Sequence, residues 1–257
     1  MAIDRRLFLA GLGVAAVGAA AWKYVPRIFE APLSFEAMAD PEGFRKIEGG
    51  KRSAAFDPFF GLSPDEVDPG EAVTEATVRQ DICGALYGGN TVPSGVVRIA
   101  SFSDYYCPYC RVQTQKLARL EENSSGGIEV VWHELPLLGE TSDMAAKAAL
   151  AAKRQGAYVL FHKRLMKSAF RPTPEYLRLL SKDIGIDHDQ MAADMASASV
   201  EEELRTSAAL ARIFAFVGTP ALVVGKTVIQ GQISDRTIER LIELEREEGV
   251  SATCATA

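Results

Sequence analysis

Two cysteines, Cys107 and Cys110, lie close together with Pro108 and Tyr109 between them. A thiol pair at this spacing can exchange a disulfide with another protein, or it can supply two ligands to a metal ion. An apolar run directly before the pair predicts a β-strand, and residues 111–121 predict a helix. Cys107 then lies at a helix N-terminus, where free amide groups favour a negative charge and a proline fits the first turn. This position predicts an acidified Cys107 thiol, and the thiolate is the reactive form.

A metal site is the alternative use of the same two cysteines. A closed zinc site needs four ligands, whereas the chain has three histidines, His133, His162 and His188, and no second cysteine pair at this spacing. His162 stands beside Phe161 in a predicted helix, where a packed or surface position is the ordinary role. The sequence therefore favours redox chemistry, with no metal and no other cofactor.

Composition limits the remaining classes of function. The 257 residues are 47% hydrophobic, enough for one sizeable domain or two small ones. A net charge of -6 without a basic stripe argues against a nucleic-acid partner. The four cysteines fit one catalytic pair and one structural bridge, Cys83 to Cys254, rather than a disulfide-dense scaffold. Two unrelated thiols or an intermolecular link remain the alternatives for Cys83 and Cys254.

Residues 1–25 predict an export signal or a membrane anchor. Arg5 and Arg6 precede an uncharged run and resemble a twin-arginine motif, although Asp4 stands where serine or threonine is usual. The run is shorter than the roughly 20 residues of a spanning helix, which favours a cleaved signal over a membrane tether. Either interpretation puts the rest of the chain in the periplasm. Residues 26–67, rich in proline, glycine and charge, predict an irregular arm.

The elements that position the cysteines are predicted to form a mixed α/β domain over 68–257. We expect a helix from Pro69 to Gly88, strands near 96–102, 128–132, 220–224 and 228–230, helices within 144–166, 174–184 and 188–216, and a helix from Ser234 to Gly249. In the helix after Cys107, the expected apolar face is Val112, Leu117 and Leu120. The order predicts helices on both sides of a small sheet, with a helical insertion at about 139–216.

Four stretches, within about residues 70–250, resemble the DsbA-like branch of the thioredoxin superfamily. They are residues 104–110, 133–139, 155–162 and 218–225, the last reading Gly218-Thr219-Pro220 before an apolar strand. The resemblance implies a thioredoxin-like fold with an inserted α-helical domain, and a thiol:disulfide oxidoreductase. It also implies a cis peptide bond at Pro220 and a Thr219 backbone that pairs with an incoming extended peptide.

The resemblance assigns roles to the tetrad. Cys107, expected to be the more exposed cysteine, is the attacking or attacked sulfur, and Cys110 resolves the mixed disulfide. Pro108 and Tyr109 tune the redox potential. Tyr109 stands where the strongest oxidant of the family has a histidine and brings no positive charge, so a weaker oxidant is expected.

One departure from the family concerns proton transfer. Many members carry a buried acid six residues before the first cysteine, and this chain has Ser101 there. Asp104 is nearer, but no sequence feature gives it that role, so water is expected to carry the proton.

The most favoured function is a dithiol oxidase that acts on substrate proteins with cysteines and is reset by a redox partner. A disulfide isomerase and a reductase remain alternatives. Isomerases usually present a dimeric cleft, and no dimerisation domain is evident unless the arm contains one. Glutaredoxins share the C-P-Y-C tetrad, but the export signal and the helical insertion argue against a glutathione-dependent enzyme.

Overall fold

The computed structural model describes residues 32–54, 69–89, 93, 95–168, 172–249 and 254. The chain divides into a unit over 1–34 and a second unit over 35–257, and all the described strands and helices belong to the second. The predicted export signal at 1–25 lies outside the described residues. Within the described ranges, no helix has both the length and the apolar character needed to cross a membrane.

The described strands form one mixed sheet in the order β1-β2-β6-β5-β3-β4. They are β1 (Glu36–Ala37), β2 (Arg45–Ile47), β3 (Val97–Ser103), β4 (Ile128–Glu134), β5 (Ala221–Val224) and β6 (Thr227–Gln230). β3 runs parallel to β4 and antiparallel to β5, which turns through Gly225 into antiparallel β6. All of β5 and nearly all of β3 are buried, as expected of central strands that are covered on both faces.

The described helices are α1 (Pro69–Gln80), α2 (Ile82–Tyr87), α3 (Pro108–Asn123), α4 (Glu140–Arg154), α5 (Tyr158–Lys167), α6 (Pro174–Ile184), α7 (His188–Met195), α8 (Ala198–Ile213) and α9 (Asp235–Glu247). Helices α4 to α8 all lie between β4 and β5, within the segment expected to be inserted. The α/β fold class with an inserted helical domain is therefore confirmed.

Two helices occupy the segment for which the sequence predicted one, from Pro69 to Gly88. Asp81 separates them, because its carboxylate accepts a hydrogen bond from the amide of Gly84 at 2.7 Å and caps α2. In α3, Val112 is 44% exposed, so the predicted apolar face is wrong at that position. Gln113 and Thr114 are buried in its place.

The arm also differs from the irregular segment that was expected. In its described part, β1 pairs with β2, and β2 joins the main sheet in parallel with β6. Arg45 of β2 donates a side-chain hydrogen bond to Thr227 at 2.9 Å and forms an ion pair with the buried Glu245 at 3.3 Å. Strands of two and three residues are too short to give a readable alternation in the sequence.

Separate hydrophobic clusters form the described core; one holds the two cysteines of the tetrad, and another contains residues of β3, β5 and β6. Cys107 and Cys110 belong to the cluster formed by the alanine-rich face of α4, by α5 and by α6. Small alanine side chains allow these helices to approach closely. The cysteine pair therefore lies where the sheet meets the helical insertion.

Candidate active site

Cys107 is the N-cap residue of α3, with extended backbone angles of φ -74° and ψ 115°. Its Sγ accepts a hydrogen bond from the amide of Cys110 at 3.1 Å and lies 3.2 Å from the carbonyl oxygen of Thr219. The Thr219–Pro220 peptide bond is cis. The structure thus brings together the two cysteines and the Thr219-Pro220 loop, although more than a hundred residues separate them in the chain.

The residues between the cysteines differ in their surroundings. Pro108 occupies the first turn of α3 with an exposed ring, and Tyr109 is half-buried against the cluster that contains the cysteines. Pro108 therefore fits the helix start without losing a hydrogen bond, since its missing N–H has no partner inside the helix.

The pKa values of the two thiols are shifted in opposite directions. The pKa of Cys107 is lowered from 9.0 to about 6, chiefly by the hydrogen bond with the Cys110 side chain. Hydrogen bonds from the Ser53 side chain and the Cys110 amide lower it further, while burial opposes them. Burial, followed by the hydrogen bond with Cys107, raises the pKa of Cys110 far above its ordinary value. Near neutrality Cys107 is a thiolate and Cys110 keeps its proton, as an attacking and a resolving cysteine require.

Cys107 is not the more exposed cysteine, contrary to expectation, because both cysteines are 0% exposed. Ser53 of the arm pairs with Thr219, whose carbonyl oxygen lies beside Sγ of Cys107. Its amide donates to the carbonyl of Thr219 at 2.8 Å, and its own carbonyl accepts from the amide of Thr219 at 2.8 Å. A substrate sulfur therefore cannot reach Cys107 in this conformation unless some part of the cover moves.

Asp104 has a structural role. Its carboxylate accepts hydrogen bonds from the amides of Tyr106, Leu137 and Leu138 and from the hydroxyl of Ser142, at 2.7 to 3.0 Å. These bonds hold the loop before Cys107 against the loop that leads into α4. Both oxygens of this carboxylate are thus engaged by donors of the two loops.

A second buried acid lies beside the site, and no feature of the sequence pointed to it. Glu134 ends β4 in register with Ser103, and its Oε1 accepts hydrogen bonds from the hydroxyls of Tyr105 at 2.8 Å and Tyr158 at 2.6 Å. His162 Nδ1 lies 3.5 Å from the same oxygen. Burial, and then Glu134, raises the pKa of both tyrosines, which therefore stay protonated as donors. Glu134 falls within the 133–139 stretch, but only strand register places it next to Tyr105.

The remaining candidates lie apart from this chemistry. A disulfide joins Cys83 to Cys254, with Cα atoms 5.2 Å apart, and Cys254 packs against the other hydrophobic cluster. In the part of the chain that the structure describes, no three His, Cys, Asp or Glu side chains are arranged to hold a metal ion. His162 is buried between Tyr105 and Tyr158 and contacts the rings of both.

Comparison with known proteins agrees with this geometry. The DSBA-like thioredoxin domain family matches residues 98–243. A probable disulfide bond formation protein D of Bacillus anthracis is 24% identical over 177 residues, 64% of this chain and 78% of that protein. A thioredoxin-like oxidoreductase from Silicibacter pomeroyi superposes with a TM-score of 0.58 at 31% identity, covering 64% of this chain and 97% of its own. The thiol-disulfide exchange protein alpha-DsbA2 of Wolbachia pipientis gives 0.56 at 23% identity, over 68% and 97%. Because the family match spans more than half of the sequence, from β3 into α9, the chain belongs to the DSBA-like thioredoxin domain family and is a thiol:disulfide oxidoreductase.

Proposed function

We propose that this enzyme oxidises dithiols in substrate proteins through Cys107 and Cys110. A substrate thiolate attacks Sγ of Cys107, the Cys107–Cys110 disulfide breaks, and Cys110 leaves and takes up a proton. A second substrate thiolate then attacks the substrate sulfur of the mixed disulfide. Cys107 leaves as a thiolate, so the substrate has lost two electrons and the enzyme has gained them.

The observation that supports the oxidising direction is the acidity of Cys107. A stabilised thiolate favours the reduced enzyme, which makes its disulfide a better electron acceptor. The pKa of about 6 lies between about 7 for thioredoxin at about -270 mV and about 3.5 for DsbA at about -120 mV. Because one pKa unit corresponds to about 30 mV, we expect a potential of about -240 to -195 mV.

A redox titration against glutathione buffers tests this proposal. We expect a potential inside that window, together with faster disulfide formation in a reduced substrate than rearrangement in a scrambled one. A potential at or below about -270 mV would indicate a reductant. Higher activity on the scrambled substrate would indicate an isomerase. The Cys107→Ser variant is the inactive control for both assays.

We also propose that the enzyme works in the periplasm and that a redox partner reoxidises its dithiol. The support is the twin-arginine-like start of the chain, which fits export in the folded state. N-terminal sequencing of the protein from a periplasmic fraction distinguishes a cleaved export signal from a retained membrane anchor. A start beyond residue 25 indicates cleavage, and an intact Met1 indicates a retained anchor. Recovery of the enzyme in the cytoplasm alone would contradict the proposal.

A further inference from the structure

The sulfur that must meet the substrate is covered in this structure. Cys107 is 0% exposed, its Sγ lies 3.2 Å from the carbonyl oxygen of Thr219 in the cis-proline loop, and Ser53 of the arm is bridged to Thr219. The loop is anchored by β5, a fully buried central strand, whereas the part of the arm that carries Ser53 follows the short strand β2. That part of the arm can therefore leave without breaking the central sheet.

The arm segment, residues 49–54, forms main-chain hydrogen bonds first with the residues after β6 and then with the cis-proline loop. After β2, the carbonyl of Lys51 accepts from the amide of Gln232 at 2.8 Å. Ser53 and Thr219 then exchange two hydrogen bonds of 2.8 Å in an antiparallel bridge. Both main-chain groups of Thr219 are thus occupied by the chain itself, in the way an added β-strand would occupy them.

Glycines lie where the backbone of the arm segment approaches the backbone of residues 218 and 232. A Cβ atom on Gly50 would lie 2.1 Å from the carbonyl oxygen of Gln232, and one on Gly218 would lie 2.4 Å from that of Ser53. Real Cβ contacts are essentially never this short, so larger residues at these positions would force the segments apart. The arm segment is therefore closely fitted to the loop.

Ser53 is bridged to Thr219, whose carbonyl oxygen lies 3.2 Å from Sγ of Cys107, and the Ser53 side chain is among the groups that lower the pKa of that thiol. Serine and cysteine differ only in the atom that follows Cβ. A substrate strand bridged to Thr219 in the same way would present a cysteine sulfur at the place where Ser53 presents oxygen.

We propose that arm segment 49–54 is a resident pseudosubstrate, with Ser53 in the place of the substrate cysteine, and that a substrate strand must displace it. The inference rests on the proposed exchange at Cys107 and concerns what occupies its peptide site. Serine cannot form a disulfide, so the segment covers the sulfur without consuming it. It also implies that substrates bind as extended strands, because the site is filled by one.

A cysteine at position 53 tests this placement directly. In the double variant Ser53→Cys with Cys110→Ser, Cys107 and the introduced cysteine are the thiols left outside the Cys83–Cys254 disulfide. Oxidised glutathione forms a mixed disulfide with Cys107 and releases one reduced glutathione. The introduced thiolate then displaces the second glutathione, which leaves a disulfide between positions 53 and 107.

The matched controls are Arg52→Cys and Ala54→Cys, each combined with Cys110→Ser. Neighbouring side chains of an extended segment point to opposite faces, so neither control presents its sulfur to Cys107. We expect an intramolecular disulfide, identified by peptide mapping, that forms at least about tenfold faster from position 53, at a rate independent of protein concentration. Equal rates at all three positions, or dimers alone, would overturn the inference.

A kinetic comparison tests displacement. Gly50→Val forces the arm segment away from Gln232, while Glu48→Ala changes an exposed residue of the same arm and is the control. If the arm segment leaves the site open in about one molecule in ten, substrate binds about tenfold more weakly than it would to a permanently open site. Gly50→Val should therefore lower KM for an extended cysteine peptide by up to about tenfold. An unchanged or raised KM would contradict displacement. If the wild type does not exchange disulfides with the peptide, the proposed function is wrong. The disulfide-trapping experiment would still test whether position 53 lies at Cys107.

Discussion

At the scale of single residues, the low pKa of Cys107 results from hydrogen-bond donors that outweigh burial and one nearby acceptor. The Cys110 thiol and amide and the Ser53 side chain all stabilise the thiolate. The carbonyl oxygen of Thr219, 3.2 Å from Sγ, favours the protonated thiol, but that carbonyl also accepts the Ser53 amide, which reduces its effect. The arm therefore contributes to the reactivity of the sulfur that it covers.

We expect the Cys107 thiol of the reduced enzyme to titrate with a midpoint near pH 6, measured by ultraviolet thiolate absorbance or alkylation rate. Ser53→Ala raises the midpoint, because one donor to the thiolate is lost. The folded-state pKa lies below the ordinary value of 9.0, so the thiolate's contribution to the stability of the reduced enzyme is full above pH 9.0. It is lost as the pH falls through about 6. A midpoint near that of a free thiol would contradict the assignment.

At the scale of elements, the site depends on how β3 passes into α3 and how β4 passes into α4. Asp104 joins these two connections, since its carboxylate accepts the amides of Tyr106, Leu137 and Leu138. The helix that carries the cysteines is thereby fastened to the helical insertion.

Asp104→Ala should lower the free energy of unfolding by about 2–4 kcal/mol, because three part-buried amides lose their acceptor. Urea denaturation of the reduced enzyme measures this loss. Ser142→Ala is the control, since it removes one of the same hydrogen bonds and should cost about 1 kcal/mol. A loss for Asp104→Ala no greater than that of Ser142→Ala would show that this carboxylate does not hold the two loops together.

At the scale of the whole molecule, the Cys83–Cys254 disulfide closes a loop of 171 residues around the catalytic domain. It ties α2 to a residue beyond α9 and so links the two ends of the domain. A cross-link over a loop of this length restricts the unfolded chain, and the loop-entropy account puts its contribution at about 4–5 kcal/mol.

The double variant Cys83→Ala with Cys254→Ala should therefore have a free energy of unfolding lower than that of the wild type by up to about 4–5 kcal/mol. Its midpoint in urea denaturation should fall accordingly. Its rate of exchange at Cys107 should stay unchanged, because the bridge contributes to the other hydrophobic cluster. An unchanged unfolding midpoint, or a free Cys254 in non-reducing peptide mapping of the wild type, would contradict a stabilising role.

Several features of this protein follow from its sequence alone. The tetrad, the cap residues and the alternation of apolar runs predicted the order of the elements and Cys107 at a helix start, because these signals lie within a few neighbouring residues. Only the tertiary structure decided that Ser53 bridges Thr219 beside Cys107 and that Glu134 accepts hydrogen bonds from Tyr105 and Tyr158. Such contacts depend on strand register and on the path of the arm, and both result from packing between residues that are distant in the chain.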